Sequence, residues 1–141
     1  MPRVKLELPG VFEFSTNIPV RITDINYGGH LGNDSLLSFI HEARLQFLNS
    51  KGFSEMDAGG VGIILTDVVI IYKSESFFGD ILNIEVTAGD FNKYGCDIYY
   101  RINNKKNNKE AARAKTGIVF YDYKKKKITS TPETFLRKMK H

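Results

Sequence analysis

Residues 33–52, NDSLLSFIHEARLQFLNSKG, decide how this chain is read. Leu36, Ile40, Ala43 and Phe47 fall at steps of four, three and four, and Leu37, Arg44 and Leu48 widen the stripe. That period is helical, with one broad apolar face. Asn33 or Asp34 is suited to cap the start by accepting a hydrogen bond from a free N–H of the first turn. Gly52 is suited to end the helix in a left-handed conformation, and Lys51 complements the negative end of the helix dipole. The spacing predicts a helix over 34–51, a rod of roughly 27 Å.

Everything after that helix reads as strand. GIILTDVVIIYK (62–73) is nearly all apolar or β-branched, so burial on both faces is expected. ILNIEVTA (81–88) alternates Leu82, Ile84, Val86 and Ala88 on one side. YGCDIYYRI (94–102) and EAARAKTGIVFYDY (110–123) alternate in the same way, and Tyr99 and Tyr100 fall on opposite faces. The connectors SESFFGD, GDFNKYG and NNKKNNK suit antiparallel hairpins. Before the helix, FEFSTNIPVRI (12–22) alternates Phe12, Phe14, Val20 and Ile22 around Pro19, as an edge strand or a bulge does. One strand, one long helix and four more strands mean an α+β fold with an antiparallel sheet. One helix cannot cover both faces of five strands. Self-association is therefore expected, with a two-fold dimer as the default.

The chain has 141 residues, which suits one domain over 1–141. At 42% hydrophobic and 26% charged it can build a single core. Cys96 is the only cysteine, so no intrachain disulfide forms and no oxidising compartment is needed. Cys96 falls on the inward side of its strand and reads as core. The start, MPRVKLELPGVFEF, holds no long apolar stretch, so no secretory leader is expected. The longest apolar run, Val68–Tyr72, is far short of the roughly 20 residues that cross a bilayer. A cytoplasmic protein without a membrane partner is expected. The net charge of +4 sits largely in Lys124–Lys127 and the last residues. Such a run is ordinarily a solvated turn. No interleaved aromatic RNA motif accompanies it, so no nucleic-acid partner is expected.

The chemistry gathers just before the helix, in TDINYGGHLGND (23–34). Asp24 is a candidate general base. Gly28 and Gly29 let backbone approach a ligand closely. The free N–H groups and positive dipole end of the helix point at this loop and stabilise a carboxylate, phosphate or oxyanion. His30 can donate or accept a hydrogen bond near neutral pH. Together these groups point to hydrolysis or acyl transfer. The bland readings stand beside them. Asp24 can close a turn, His30 can be a structural histidine, and Glu42 can be a surface or interface ion pair. Arg44 sits on the apolar stripe, where it snorkels or pairs with a carboxylate. His30, His41 and His141 have no metal-ligand spacing, and there is no nucleophile elbow, CxxC or phosphate-binding loop. No metal or cofactor is implied.

VRITDINYGGHLGNDSLLSFIHEARLQFL resembles the entry motif of the hot-dog-fold acyl-CoA thioesterases, the 4-hydroxybenzoyl-CoA thioesterase-like superfamily. That motif has a strand ending in Asp-x-Asp, a Gly-His turn, one or two Asn and a helix closing near Glu-Ala-Arg. His30 and Arg44 keep its spacing, and HEAR (41–44) closes it. The resemblance implies a five-stranded antiparallel sheet wrapped around one long central helix. It implies an acyl-CoA or acyl-carrier thioester substrate with a fatty or aromatic acyl group, and a homodimer or homotetramer. It also implies an oxyanion hole of backbone N–H groups around Gly28, Gly29 and Asn33, and an acyl chain along Leu36, Phe39 and Ile40. One position departs. The second Asp of the motif, the usual catalytic carboxylate, is Asn26 here, and an amide is no general base. Three readings follow. Asp24 acts as the base with Asn26 holding water or the thioester, Glu42 supplies the carboxylate, or the chain binds acyl thioesters without hydrolysing them. A hot-dog hydratase is a further alternative, but its hydration motif is not seen.

Overall fold

The computed structural model describes residues 3–139, so His141 and the last lysine lie outside the described residues. The helix α1 spans Asn33–Ser50, within a residue of expectation at both ends. Leu36, Ile40, Ala43, Phe47 and Leu48 are buried along it, as the stripe requires; Phe39 is buried beside them, and Leu37, placed on the stripe from sequence, is exposed. Its start corrects the capping expectation. The N-cap is Gly32, without a side-chain cap bond. Asn33 and Asp34 lie in the first turn and are exposed. The cause is tertiary: the Leu31 N–H donates to the Ser76 carbonyl (2.7 Å) and the Gly32 N–H to the Asp24 carbonyl (3.0 Å), which hold the chain extended up to Gly32. The other end follows expectation. Gly52 has φ +82°, the Gly52 N–H donates to Asn49 and the Phe53 N–H to Leu48. These two bonds close a Schellman stop, and Phe53 is buried beneath it.

Six strands follow the chain as β1 (Phe14–Pro19), β2 (Gly62–Tyr72), β3 (Ile81–Gly89), β4 (Gly95–Asn104), β5 (Lys109–Asp122) and β6 (Lys127–Thr129). All pairs are antiparallel and the order is β1-β3-β4-β5-β2, with β6 added on β5. The short β6 and the helix α2 (Glu133–Met139) were not anticipated from sequence. α2 seats Phe135 between Phe53 and Phe120, at ring separations of 5.2 and 4.8 Å, and seals the core near the end of α1. The sheet curls over α1. Leu82, Ile84 and Val86 of β3, Cys96, Ile98, Tyr100 and Ile102 of β4, and Ala112, Ala114, Ile118 and Phe120 of β5 are all buried against it. The alternation read from sequence therefore sets the inner face. Burial pushes the Cys96 thiol up to about 12, and the carboxylates of Asp97 and Asp90 add to the shift, so it stays a packing group.

Two strands differ from expectation. β1 is shorter than 12–22. Pro19 is its last residue, and Ile22–Asp24 form a 3-10 turn. β2 is not buried on both faces. It is an edge strand with a register shift between Leu65 and Asp67, and Leu65, Thr66, Asp67 and Val68 are exposed. Its continuous apolar run is the signature of a covered strand, and no strand among the described residues covers its outer edge. The outward sheet face is polar: Lys115 lies 3.7 Å from both Asp67 and Asp97, and Arg101 lies 3.7 Å from Glu85. Of the exposed apolar side chains, Leu37, Leu65 and Val68 line one patch between α1 and β2, with Tyr72 farther along β2.

Candidate active site

The loop before α1 is a tight, internally bonded turn. Ile25 and Leu31 form an isolated bridge, the Asn26 N–H donates to His30, and the Gly29 N–H donates to the Asn26 carbonyl at φ +86°. The Asn26 side-chain carbonyl accepts the Gly28 N–H at 2.9 Å, which turns its amide NH₂ away from the turn. The N–H groups of Gly28 and Gly29 are thus both used within the loop. The first N–H groups of α1, from Asn33 onward, are free of this network, because the first helical bond runs from Leu36 back to Gly32.

A cleft of about 250 Å³ opens at this helix end. His30, Leu31, Gly32, Asn33 and Leu36 line one wall. Tyr72, Lys73 and Ser74, with Glu75, Ser76 and Ala111, line the other. His30 is one-third exposed, its Nδ1 lies 3.2 Å from the Leu31 carbonyl, and its Nε2 lies 4.0 Å from the Glu75 carboxylate. A bond to a carbonyl needs the proton on Nδ1, which leaves Nε2 as the basic nitrogen facing the cleft. The Ser76 hydroxyl is buried and has no hydrogen-bond partner among the described residues. A buried hydroxyl left unpaired costs stability unless something else, such as a ligand, takes the bond. Burial, with help from the Asp34 carboxylate, raises the Tyr72 phenol above its ordinary value, so Tyr72 enters the cleft as a neutral donor.

Of the residues singled out from sequence, His30, Asn33 and Leu36 line this cleft. Asp24 does not. It is buried, and its carboxylate accepts the Arg21 N–H at 2.8 Å and the Arg21 guanidinium at 3.3 and 3.4 Å. Asn26, Gly28 and Gly29 shape the turn behind the cleft. Glu42 lies on the exposed side of α1 and accepts from Gln46 at 3.0 Å. Phe39 is buried in the core and lines neither cleft, whereas Ile40 lines a second one farther along α1. Sequence reading missed Tyr72, Lys73, Glu75 and Ser76. SESFFGD was legible as a connector, and nothing local says that it returns to the helix start. Among the described residues no three His, Cys, Asp or Glu side chains gather as a metal site. No helix among them is long and apolar enough to cross a membrane.

Deeper along α1, the buried Arg44 donates from Nε to Glu55 at 3.1 Å and from Nη1 to the Tyr100 hydroxyl at 3.3 Å. The other Glu55 oxygen lies 2.9 Å from His41 Nε2. This ion pair fixes the loop after α1, where the Ile63 N–H donates to the Glu55 carbonyl. Burial pushes the Glu55 carboxyl up, but His41 and Arg44 together outweigh it and hold it below its ordinary value of 4.5. A lowered folded value adds stability above the unfolded value, and that stability is lost as pH falls through the folded one. Acidification from neutral to below 4.5 is therefore expected to cost wild type more of its urea midpoint than Glu55→Gln. Equal losses would remove Glu55 from the acid response.

A curled antiparallel sheet over one long helix, with a cleft at the helix N-terminus, defines a hot-dog fold of α+β class. The chain belongs to the thioesterase-like superfamily, whose family model matches residues 20–139. A putative esterase of Aquifex aeolicus is 24% identical over 123 residues, 86% of this chain and 93% of that protein. The fold is shared with a 1,4-dihydroxy-2-naphthoyl-CoA thioesterase from Synechocystis at TM-score 0.81 and 21% identity, covering 89% of this chain and 94% of the other. It is shared as well with a Staphylococcus aureus protein solved in complex with CoA, at TM-score 0.81 and 14% identity, covering 94% and 85%.

Proposed function

We propose that this protein hydrolyses an acyl-CoA, or an acyl-carrier thioester, with a fatty or aromatic acyl group. The observation that carries the reading is the cleft where free helix N–H groups and His30 meet, with the Glu75 carboxylate 4.0 Å from the histidine Nε2. The thioester carbonyl sits over the start of α1, and the N–H groups of Asn33 and Asp34 receive the developing oxyanion. One such donor is typically worth about 2.7–4 kcal/mol. His30 Nε2 takes a proton from water as the water oxygen bonds to the carbonyl carbon. Glu75 stabilises the imidazolium. The tetrahedral intermediate then collapses, the carbon–sulfur bond breaks, and the imidazolium returns the proton to the thiolate. The Ser76 hydroxyl supplies a hydrogen bond to water or thioester, and Asn26 holds the turn behind the cleft. In this reading Asp24 is a clamp that joins Arg21 to the helix start. Glu42 has no part in the chemistry.

Thiol release from a panel of short, long and aromatic acyl-CoAs tests the reading. Turnover of at least one supports it. No release from any, with stabilisation by acyl-CoA, favours the second reading, an acyl-thioester-binding protein, for which Asn26 in place of a carboxylate is the specific argument. No cofactor enters the scheme. A cytoplasmic location goes with it, since the single buried thiol asks for no oxidising compartment.

The reading includes a homodimer. β2 offers an unpaired edge flanked by exposed Leu37, Leu65, Val68 and Tyr72, while the outward sheet face is charged. Two copies joined along β2 would bury the apolar set. A tetramer stacked sheet on sheet would have to desolvate ion pairs. Val68→Asp is expected to give monomers by sedimentation equilibrium where wild type is dimeric. A variant that sediments as wild type does would place the interface elsewhere.

A further inference from the structure

Each wall of the cleft at the start of α1 runs directly into a turn that carries an aromatic side chain at its corner. His30 closes the hairpin 26–30. There the Gly29 N–H donates to the Asn26 carbonyl (3.0 Å), the Asn26 N–H to the His30 carbonyl (3.0 Å) and the Gly28 N–H to the Asn26 side chain (2.9 Å). Tyr27 stands at the first corner of this hairpin and is fully exposed. On the other wall, Ser76 leads into the turn 77–80, where the Asp80 N–H donates to the Phe77 carbonyl (3.0 Å) and Gly79 has φ +88°. A glycine in that conformation lets the chain reverse and leaves Phe78 at the outer corner, 61% exposed. The Leu31 N–H donates to the Ser76 carbonyl (2.7 Å) and ties the two segments together.

The second turn is braced from within. The buried Asp80 carboxylate accepts the Phe77 N–H (2.9 Å) and the amide of the fully buried Asn104 (2.8 Å). The Val20 N–H donates to the Asp80 carbonyl (2.8 Å) and the Gly79 N–H to the Val20 carbonyl (3.1 Å). Arg21 and Ile22, both exposed, follow Val20 directly. The Lys105 N–H donates to the Ile81 carbonyl (2.9 Å), which brings the β4–β5 turn alongside. That turn, KKNNK (105–109), holds three exposed lysines and no acid. Asp24 and Asp80 are buried, 3.3 Å from Arg21 and 3.9 Å from Lys106, so the cations are the outward charges here. Of the exposed acids, Glu75 belongs to the cleft wall and Asp34 to the start of α1. Buried hydrogen bonds thus fix apolar rings in water, where they add nothing to the core, and an exposed apolar set of this kind marks an interaction surface.

We propose that this aromatic and basic rim docks an acidic carrier protein, so that the thioester reaches the cleft on the carrier's pantetheine arm rather than on free CoA. This rests on the thioesterase reading above and chooses between its two substrate forms. The adenine of CoA can stack on one ring only. Tyr27, Phe77, Phe78 and Ile22, spread over two turns, ask for a wider apolar face, since each aromatic side chain buries about 150–250 Å² when covered. A bilayer could take the rings, but it would leave the exposed Asn33, Asp34 and Glu75 without partners, which a protein face can supply. Rigidly held aromatic side chains anchor protein interfaces, and the lysines beside them steer an acidic partner.

The test offers decanoyl and benzoyl groups on CoA and on a purified acidic acyl carrier protein, and reads thiol release by wild type, Tyr27→Ser/Phe78→Ser and Lys105→Glu/Lys106→Glu. The ring variant is expected to lose roughly 10-fold or more in kcat/KM on the carrier esters, through KM, while its melting temperature and its kcat/KM on the CoA esters stay as in wild type. The lysine variant should lose on the carrier esters alone, and the wild-type KM for them should rise with salt. Equal losses on both kinds of ester would assign the rings to the pantetheine arm that both share. That result, or no loss on either, overturns the docking surface and leaves the hydrolase standing. Sedimentation with vesicles of phosphatidylcholine and phosphatidylglycerol that the ring variant abolishes, with carrier kinetics unchanged, would transfer the surface to lipid. If no ester is hydrolysed, the hydrolase reading fails, and interferometry with the holo-carrier decides the surface by itself. Weaker binding by the ring variant supports it, and equal or absent binding overturns it.

Discussion

His30→Gln lowers kcat/KM for the preferred acyl-CoA by about 100-fold or more, with the melting temperature unchanged. General base help is worth roughly 10²–10⁴-fold, and glutamine keeps hydrogen-bonding capacity without basicity. His30 is one-third exposed at the mouth of the cleft, so the substitution creates no cavity and breaks no core contact. Glu75→Gln keeps the shape of the wall and removes the charge that stabilises the imidazolium, so a smaller loss of about 10-fold is expected. Asp24→Asn should behave in the opposite way. Its carboxylate is buried and bonded to Arg21, so the variant melts lower while its folded fraction still turns over. Thiol release and thermal melts on the same three variants, with Glu42→Gln beside them, separate the possibilities. Full activity in His30→Gln, with loss in folded Asp24→Asn or in Glu42→Gln, would move the base to that carboxylate.

Arg44→Met destabilises the fold by about 3 kcal/mol, read from urea midpoints. Removing one partner of a buried ion pair typically costs 3–5 kcal/mol, because the other charge stays behind without compensation. The lower end applies here, since the Glu55 side chain is 26% exposed and His41 remains beside it. Methionine replaces most of the buried stem, so lost packing is a minor part of the change. The double variant Arg44→Met/Glu55→Gln should regain part of the loss, because the stranded charge is gone. A single variant within about 1 kcal/mol of wild type would mean that the pair is no more than a surface bridge.

The sequence by itself determined the elements whose cause is local. The stripe of α1, the Gly52 stop and the inward alternation of β3, β4 and β5 each follow from a period of 3.6 or 2 over neighbouring residues, and the structure returns them nearly residue for residue. The polar loop at 23–34 was legible as a candidate site for the same reason, because acid, amides, glycines and histidine crowd against a helix start. The tertiary structure decided what depends on partners far along the chain. Gly32 rather than Asn33 caps α1 because Ser76, some 45 positions later, holds Leu31 in place. Glu75 and Ser76 arrive opposite His30 because the β2–β3 connector comes back over the helix N-terminus. β2 reads as a doubly covered strand, but its place in the pairing order leaves it at an edge. Periodicity reports which face of an element is apolar. Only the packed chain reports what meets that face, because contacts between distant residues are set by the joint burial of all the elements rather than by any one stretch.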